Sequence, residues 1–473
     1  MAKRSIRRKQ QLAYGLVIGL VALTFALVLA HGGSILNYAF PLLATVVAAV
    51  LVILRPSVYC AFVLWIWLFS PLVRRLVDYQ TGYHNISPVM LTPLLVTSFT
   101  TISLLRHPRF ILRREMLPIL SVLCIVNYAF VVGVFTNGPL PAAFEYANWL
   151  LPLTFGVYLL MQYRNFDEIK TSLVFAHLLG LILIAGYGLY QFYQMPPWDA
   201  YWINASHFTT AGLAVAGQVR VFSTLNSPGP YAVALMSALV YVFVAKGPLR
   251  LIAGGLGLPA FGLTLVRSAW GGWLIAIMYI FLRAKSKARL RVLLAGMFVV
   301  AVGIPALTAG PIADQLSKRF ASIENIQQDT SYKARQATYE QSVVMAISQP
   351  IGIGFGQIGL ASKLSTGQAV VFDAGILQVP LEFGWPGTAI FVWAIVAMLL
   401  EAIKAGASRR DQLAIAGAGI FMALLAQNIF ASTFSGVLGL ELWIGLAIAV
   451  GPALVGRIAV SRTISIQPAR RLA

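Results

Sequence analysis

Acidic residues are scarce in this chain. Asp and Glu number 15 against 35 Lys and Arg, yet charged residues make up only 11% of the 473. A basic soluble protein would suggest nucleic acid, but the mean hydropathy of +0.80 turns the reading to a membrane and away from nucleic acid. Cysteine is nearly missing as well: Cys60 and Cys124 both fall in apolar runs and read as small buried side chains, not as a disulfide framework. There is no Cys-x-x-Cys or His-Glu-x-x-His, and no Asp-x-Asp outside the membrane. A metal therefore has no ligands at a recognisable spacing, and the chain is expected to need neither metal nor cofactor. No fixed-period repeat and no separate soluble domain are visible.

What is present is a series of apolar runs, each near the roughly 20 residues that cross a ~30 Å hydrocarbon core. They occupy 12–30, 36–54, 57–73, 86–105, 117–136, 143–162, 170–192, 228–245, 249–266, 268–283, 290–309, 385–403, 412–430 and 437–456. The expected fold is all-α: a polytopic transmembrane bundle of about 14 spans, within a range of 12–14. The turn between the ninth and tenth runs is tight enough for a re-entrant hairpin. The chain divides into N-terminal spans at 1–192, an outside loop at 193–227 and central spans at 228–309. A large, partly helical outside loop at 310–384 precedes the C-terminal spans and tail at 385–473.

An N-terminus in the cytoplasm places Lys3, Arg4, Arg7, Arg8 and Lys9 there, and every later inside loop is basic, as the positive-inside rule requires. Both termini are then cytoplasmic, and the first run is an anchor, too long for a signal peptide. Left outside, against the trend, are Arg74, Arg75, Arg220, Arg267, Lys318, Arg319, Lys333, Arg335 and Lys363. Arg267 is the sharpest exception: it follows Leu263-Thr-Leu-Val and opens the short tenth run, so its guanidinium falls below the outer surface. An Arg held in a membrane faces a cavity or an anion, and three of them can bind a diphosphate. The plainer alternative is snorkelling to head groups or a structural ion pair.

Among the outside acids, Asp373 sits in the apolar stretch Val370-Val-Phe-Asp-Ala-Gly-Ile-Leu-Gln378, where partial burial would make it a base. Glu145, Glu340, Glu382 and Glu441 read as ion-pair partners or caps, and His84 and His207 as solvated. Ser331–Ile347 reads as an amphipathic interfacial helix, followed at Gly352, Gly354 and Gly356 by a flexible turn. Trp198, Tyr201, Trp202 and Trp385 suit either interface anchoring or sugar stacking. The runs carry almost no charge at mid-depth, which favours chemistry at one face over alternating access.

Four segments in order resemble the superfamily of O-antigen ligases and Wzy-type polysaccharide polymerases. Arg220-Val-Phe-Ser-Thr-Leu-Asn-Ser-Pro-Gly-Pro-Tyr231 resembles its Arg segment before a span. Leu263-Thr-Leu-Val-Arg-Ser268 resembles its Thr-x-Ser-Arg turn, with Val266 for Ser. Arg335 with Gln349-Pro-Ile-Gly-Ile-Gly-Phe-Gly356 resembles its Arg and Pro-x-Gly-x-Gly block, and Leu377-Gln378 through Gly387 its returning helix. The ligases carry His-Asn where this chain has Asp373-Ala374, which shifts the expectation toward a polymerase.

The resemblance implies a glycosyltransferase of the bacterial inner membrane. It would polymerise undecaprenyl-diphosphate-linked repeat units at the periplasmic face, with inversion. Donor and acceptor glycan lipids, membrane lipids and a chain-length regulator are the implied partners. Arg220, Arg267 and Arg335 would hold the donor diphosphate and Asp373 would be the base, with Asn226, Tyr332, Tyr339 and Glu382 in support. The alternatives are a ligase acting on lipid A core or protein, and a lipid-linked oligosaccharide flippase or transporter.

Overall fold

A computed structural model describes residues 2–294, 296–297, 339–340, 343–366, 375–407 and 411–466. Among these the chain is helical, without a strand; the sole pairing is an antiparallel bridge between Gly212 and Val219. The helices are α1 (Ala2–Leu29), α2 (Gly33–Leu54), α3 (Pro56–Thr81), α4 (Thr92–Arg106), α5 (Leu117–Asn137), α6 (Pro139–Met161) and α7 (Phe166–Gln194). After these come α8 (Pro197–Ala205), α9 (Pro228–Val244), α10 (Leu249–Gly262) and α11 (Arg267–Arg283). The last three are α12 (Gly375–Ala407), α13 (Gln412–Gln427) and α14 (Gly436–Ile466).

Local chemistry sets many of these ends. Proline occupies the first turn of α3, α6, α8 and α9, where its missing N–H costs nothing. Asp411 caps α13 by accepting from the N–H of Leu413 at 2.9 Å and of Ala414 at 3.3 Å.

Eight of the described helices are long and apolar enough to cross a membrane. The expected runs coincide with helices except the eleventh, 290–309, which passes out of the described residues. Of these eight the most deeply packed is α14, with 78% of its apolar stretch buried, against 11% for the peripheral α1. It packs against α13 and α6. The crossing with α13 is close because Gly417 and Gly445 face each other: a Cβ on Gly417 would stand 2.6 Å from the Gly445 carbonyl oxygen.

Three expectations change. The third apolar run ends at Val73, which puts Arg74 and Arg75 in an outside loop. Instead α3 continues two turns to Thr81, and both arginines are buried. The 193–227 stretch is not open loop: it holds α8, and Trp202 packs inside against Phe208 and Phe222, so it neither anchors at an interface nor faces a sugar. Mid-depth is not free of ionisable groups, since His177 Nε2 meets Glu441 Oε2 at 3.0 Å with both side chains buried. His177 lies 11 residues into α7, roughly 17 Å along its axis.

Candidate active site

The segment following α8 is fastened before it reaches α9. Gln191, near the end of α7, accepts from the N–H of Phe222 at 3.0 Å and of Ser223 at 2.8 Å. Its amide donates to Asp199 Oδ2 at 2.5 Å. Arg75 pairs with Asp199 Oδ1 at 2.9 Å, donates to the Ser223 carbonyl, and sets its guanidinium 4.8 Å from the Phe222 ring centre. Burial pushes the Asp199 carboxyl up, and the Arg75 guanidinium pulls against that shift. Ser223 is held in the left-handed region at φ 51°, a conformation that a non-glycine residue keeps only under such constraint.

This fastening lays the backbone at Arg220 along the turn between α10 and α11. The Val221 N–H donates to the Leu263 carbonyl at 3.3 Å. The half-buried Arg220 guanidinium donates to the carbonyls of Thr210 at 3.2 Å and Leu265 at 3.4 Å. Leu265 itself has φ 53°, and Arg267, two residues on, is the half-buried first residue of α11. Two of the expected arginines are thus brought to one turn. The helix leading to it, α10, has 14 residues, about 21 Å, which is short of a ~30 Å hydrocarbon core. That length agrees with a recessed turn.

The third arginine, Arg335, lies outside the described residues, as do Tyr332 and Asp373. The elements flanking them converge on the loop after α13. Tyr339 donates its hydroxyl to the Ile429 carbonyl at 2.6 Å. Gly375, two residues after Asp373, is pressed against that loop; a Cβ there would stand 2.4 Å from the Ala431 carbonyl oxygen and 2.5 Å from Asn428 Oδ1. The end of α13 meets α11, where a Cβ on Gly272 would be 2.6 Å from Gln427 Nε2. Gly272 is five residues beyond Arg267 on the same helix.

Two supporting candidates lie elsewhere. Asn226 turns to Met90, its amide 3.8 Å from the sulfur. Glu382 is fully buried: it accepts from Gln378 at 2.9 Å and lies near Glu145, which accepts from the Trp149 indole at 3.0 Å. Trp149 is ringed by Phe355, Phe383, Phe391 and Phe434, so this pair of carboxylates occupies the dry interior.

The glycine block above them is not a flexible turn. The Ile353 N–H donates to the Leu381 carbonyl at 2.8 Å, Phe355 to Ala129 at 3.0 Å, and Trp385 to Pro350 at 2.9 Å. The Asn137 amide donates to the carbonyls of both Ile353 and Phe355 at 2.9 Å. The block is a wedge between α5 and the break in α12 at Gly384, where φ is 66°.

A cavity of about 460 Å³ lies at the opposite end of the bundle, edged by Glu115, Glu401, Lys404 and Asp411. None of the candidate residues lines it. Arg75 stands among the outside cations of the sequence, but its link through Asp199 to Gln191 is not apparent there. The usable signal was that the two arginines and Asp78 continue the helical spacing of α3 beyond its apolar run.

Residues 252–392 match the family model described as O-antigen ligase. The matched stretch holds Arg267, Arg335, the glycine block, Asp373 and Glu382, and the match supports an O-antigen ligase- or polymerase-like function in general terms. A search of curated proteins finds no match.

Proposed function

We propose that this O-antigen-ligase-like membrane protein polymerises lipid-linked oligosaccharide repeat units at the outer face of the bacterial inner membrane. The observation that carries the reading is the pairing of Arg220 and Arg267 about one recessed turn. Two half-buried arginines at one turn suit an anion with several oxygens, such as the diphosphate of an undecaprenyl-linked glycan. In the proposed step the acceptor hydroxyl oxygen attacks the anomeric carbon of the donor sugar. The bond from that carbon to the phosphate oxygen breaks, and its electron pair leaves with the diphosphate. Asp373 takes the hydroxyl proton, and the attack from the opposite face inverts the centre.

Arg220, Arg267 and Arg335 meet the charge that develops on the leaving group. Loss of one preorganised donor of this kind costs on the order of 10²–10³ in rate. Asp373 is preferred to a ligase-type histidine because this chain has none at the corresponding place.

The test is surface polysaccharide made by a deletion strain complemented with wild type, Arg220→Ala, Arg267→Ala or Asp373→Asn, each checked for membrane level. The expected result is single lipid-linked repeat units in the deletion, with long polymer restored by wild type alone. Long polymer that accumulates on its lipid in the deletion would make the protein a ligase. Full complementation by all variants would remove the site and leave transport as the reading.

A further inference from the structure

Arg74 and Arg75 are neighbours in sequence but serve different sides of α3. Arg75 looks to Asp199, Phe222 and Ser223, on the side of the Arg220 segment. Arg74 looks away from it. Its Nε meets Asp78 Oδ2 at 3.2 Å, an Nη donates to the His84 carbonyl at 2.7 Å, and the guanidinium lies 5.7 Å from the Tyr83 ring centre. Into this corner comes a second cation from far along the chain. Lys363, half-buried at the start of the turn 363–366, sets Nζ 3.4 Å from Asn85 Oδ1.

The charges here do not balance. Asp78 answers Arg74, whereas Lys363 has no carboxylate within 4.0 Å among the described residues. Burial, and then the neighbouring Arg74 guanidinium, hold the Lys363 ammonium below the usual lysine range. Two cations held near each other and partly withdrawn from water are unfavourable by themselves and become favourable once an anion bridges them. The His84 ring, largely exposed, stands 3.9 Å from Asp78 Oδ1 at the mouth of the same corner.

We propose that Arg74 and Lys363, with Asn85 and His84 at the rim, form a second phosphate-ester site on the outer face, across α3 from the Arg220–Arg267 turn. Its ligand is the diphosphate of the acceptor glycan lipid. This assignment rests on the polymerase reading, because a polymerase holds two lipid diphosphates at once whereas a ligase holds one. A phospholipid head group offers the same phosphate chemistry, so the test separates the two sources.

The full chain is placed in nanodiscs of phosphatidylcholine and titrated with farnesyl diphosphate as the probe. Wild type is expected to bind at two sites. Lys363→Gln weakens one of them by at least about tenfold, as loss of a charged contact should. Arg220→Ala weakens the other, and Lys363→Arg retains both. A single site in wild type, or an unchanged isotherm for Lys363→Gln, would overturn the proposal. Nanodiscs containing phosphatidylglycerol form the second arm: if that lipid displaces the probe from the Lys363-dependent site, the ligand is a head group and the acceptor assignment falls. If two sites are found but the strain assay identifies a ligase, the polymerase reading fails while the phosphate site stands.

Discussion

Arg75 and Asp199 meet without solvent, and their value lies less in their mutual attraction than in what each would become alone. Removing one partner of such a pair strands a buried charge and costs about 3–5 kcal/mol, whereas replacing both by apolar groups of similar volume is often close to neutral. Arg75→Ala is therefore expected to lower the midpoint of thermal unfolding in detergent sharply. Arg75→Met combined with Asp199→Leu should recover most of the loss. The double variant still lacks the bond to the Ser223 carbonyl, so the Arg220 segment keeps its bonds to Gln191 but is held less tightly even where the fold survives. Under the proposed function its polymer yield should fall while its stability does not. This pair was hidden in the sequence because hydropathy stops at Val73 while the helix does not. A guanidinium buried by a partner more than a hundred residues away leaves no local signature. Arg220 and Arg267 were legible because each interrupts an apolar stretch beside a turn.

At the scale of elements, the helices were readable because apolar runs of spanning length have few other solutions. What could not be read was where irregular backbone is fixed. The block from Pro350 to Gly356 has the composition of a loose turn, yet its carbonyls and amides are taken up by α5 and by the break in α12. Gly354→Ala tests this. Its φ is 67°, and an added Cβ would lie 2.1 Å from the Gly133 nitrogen. A loss of more than ~1 kcal/mol is expected, together with faster proteolysis of the 349–366 segment. The interfacial helix expected at Ser331–Ile347 is helical over 339–340 and 343–348, and its remainder lies outside the described residues.

For the whole molecule, the distribution of basic residues makes a direct claim about sides. In a background lacking Cys60 and Cys124, a cysteine at the exposed Leu213 should react with an impermeant maleimide on intact spheroplasts. One at Arg109 should react only after the membrane is opened. The reverse pattern would invert the topology and move the Arg220–Arg267 turn to the cytoplasm, where the proposed chemistry has no place. The class of bundle followed from the sequence, whereas the ionisable pairs inside it, His177 with Glu441 and Glu145 near Glu382, required three dimensions.

The wedge of residues 350–356 also carries a message about biogenesis. Its partners, Ala129, Thr136 and Asn137, leave the ribosome more than 200 residues before it does. Until then the Asn137 end of α5 has no keystone. The N-terminal spans must therefore wait in the bilayer as an unfinished half, and a nascent chain cut before residue 350 should be cleared by quality-control proteases although all of its early helices have been inserted.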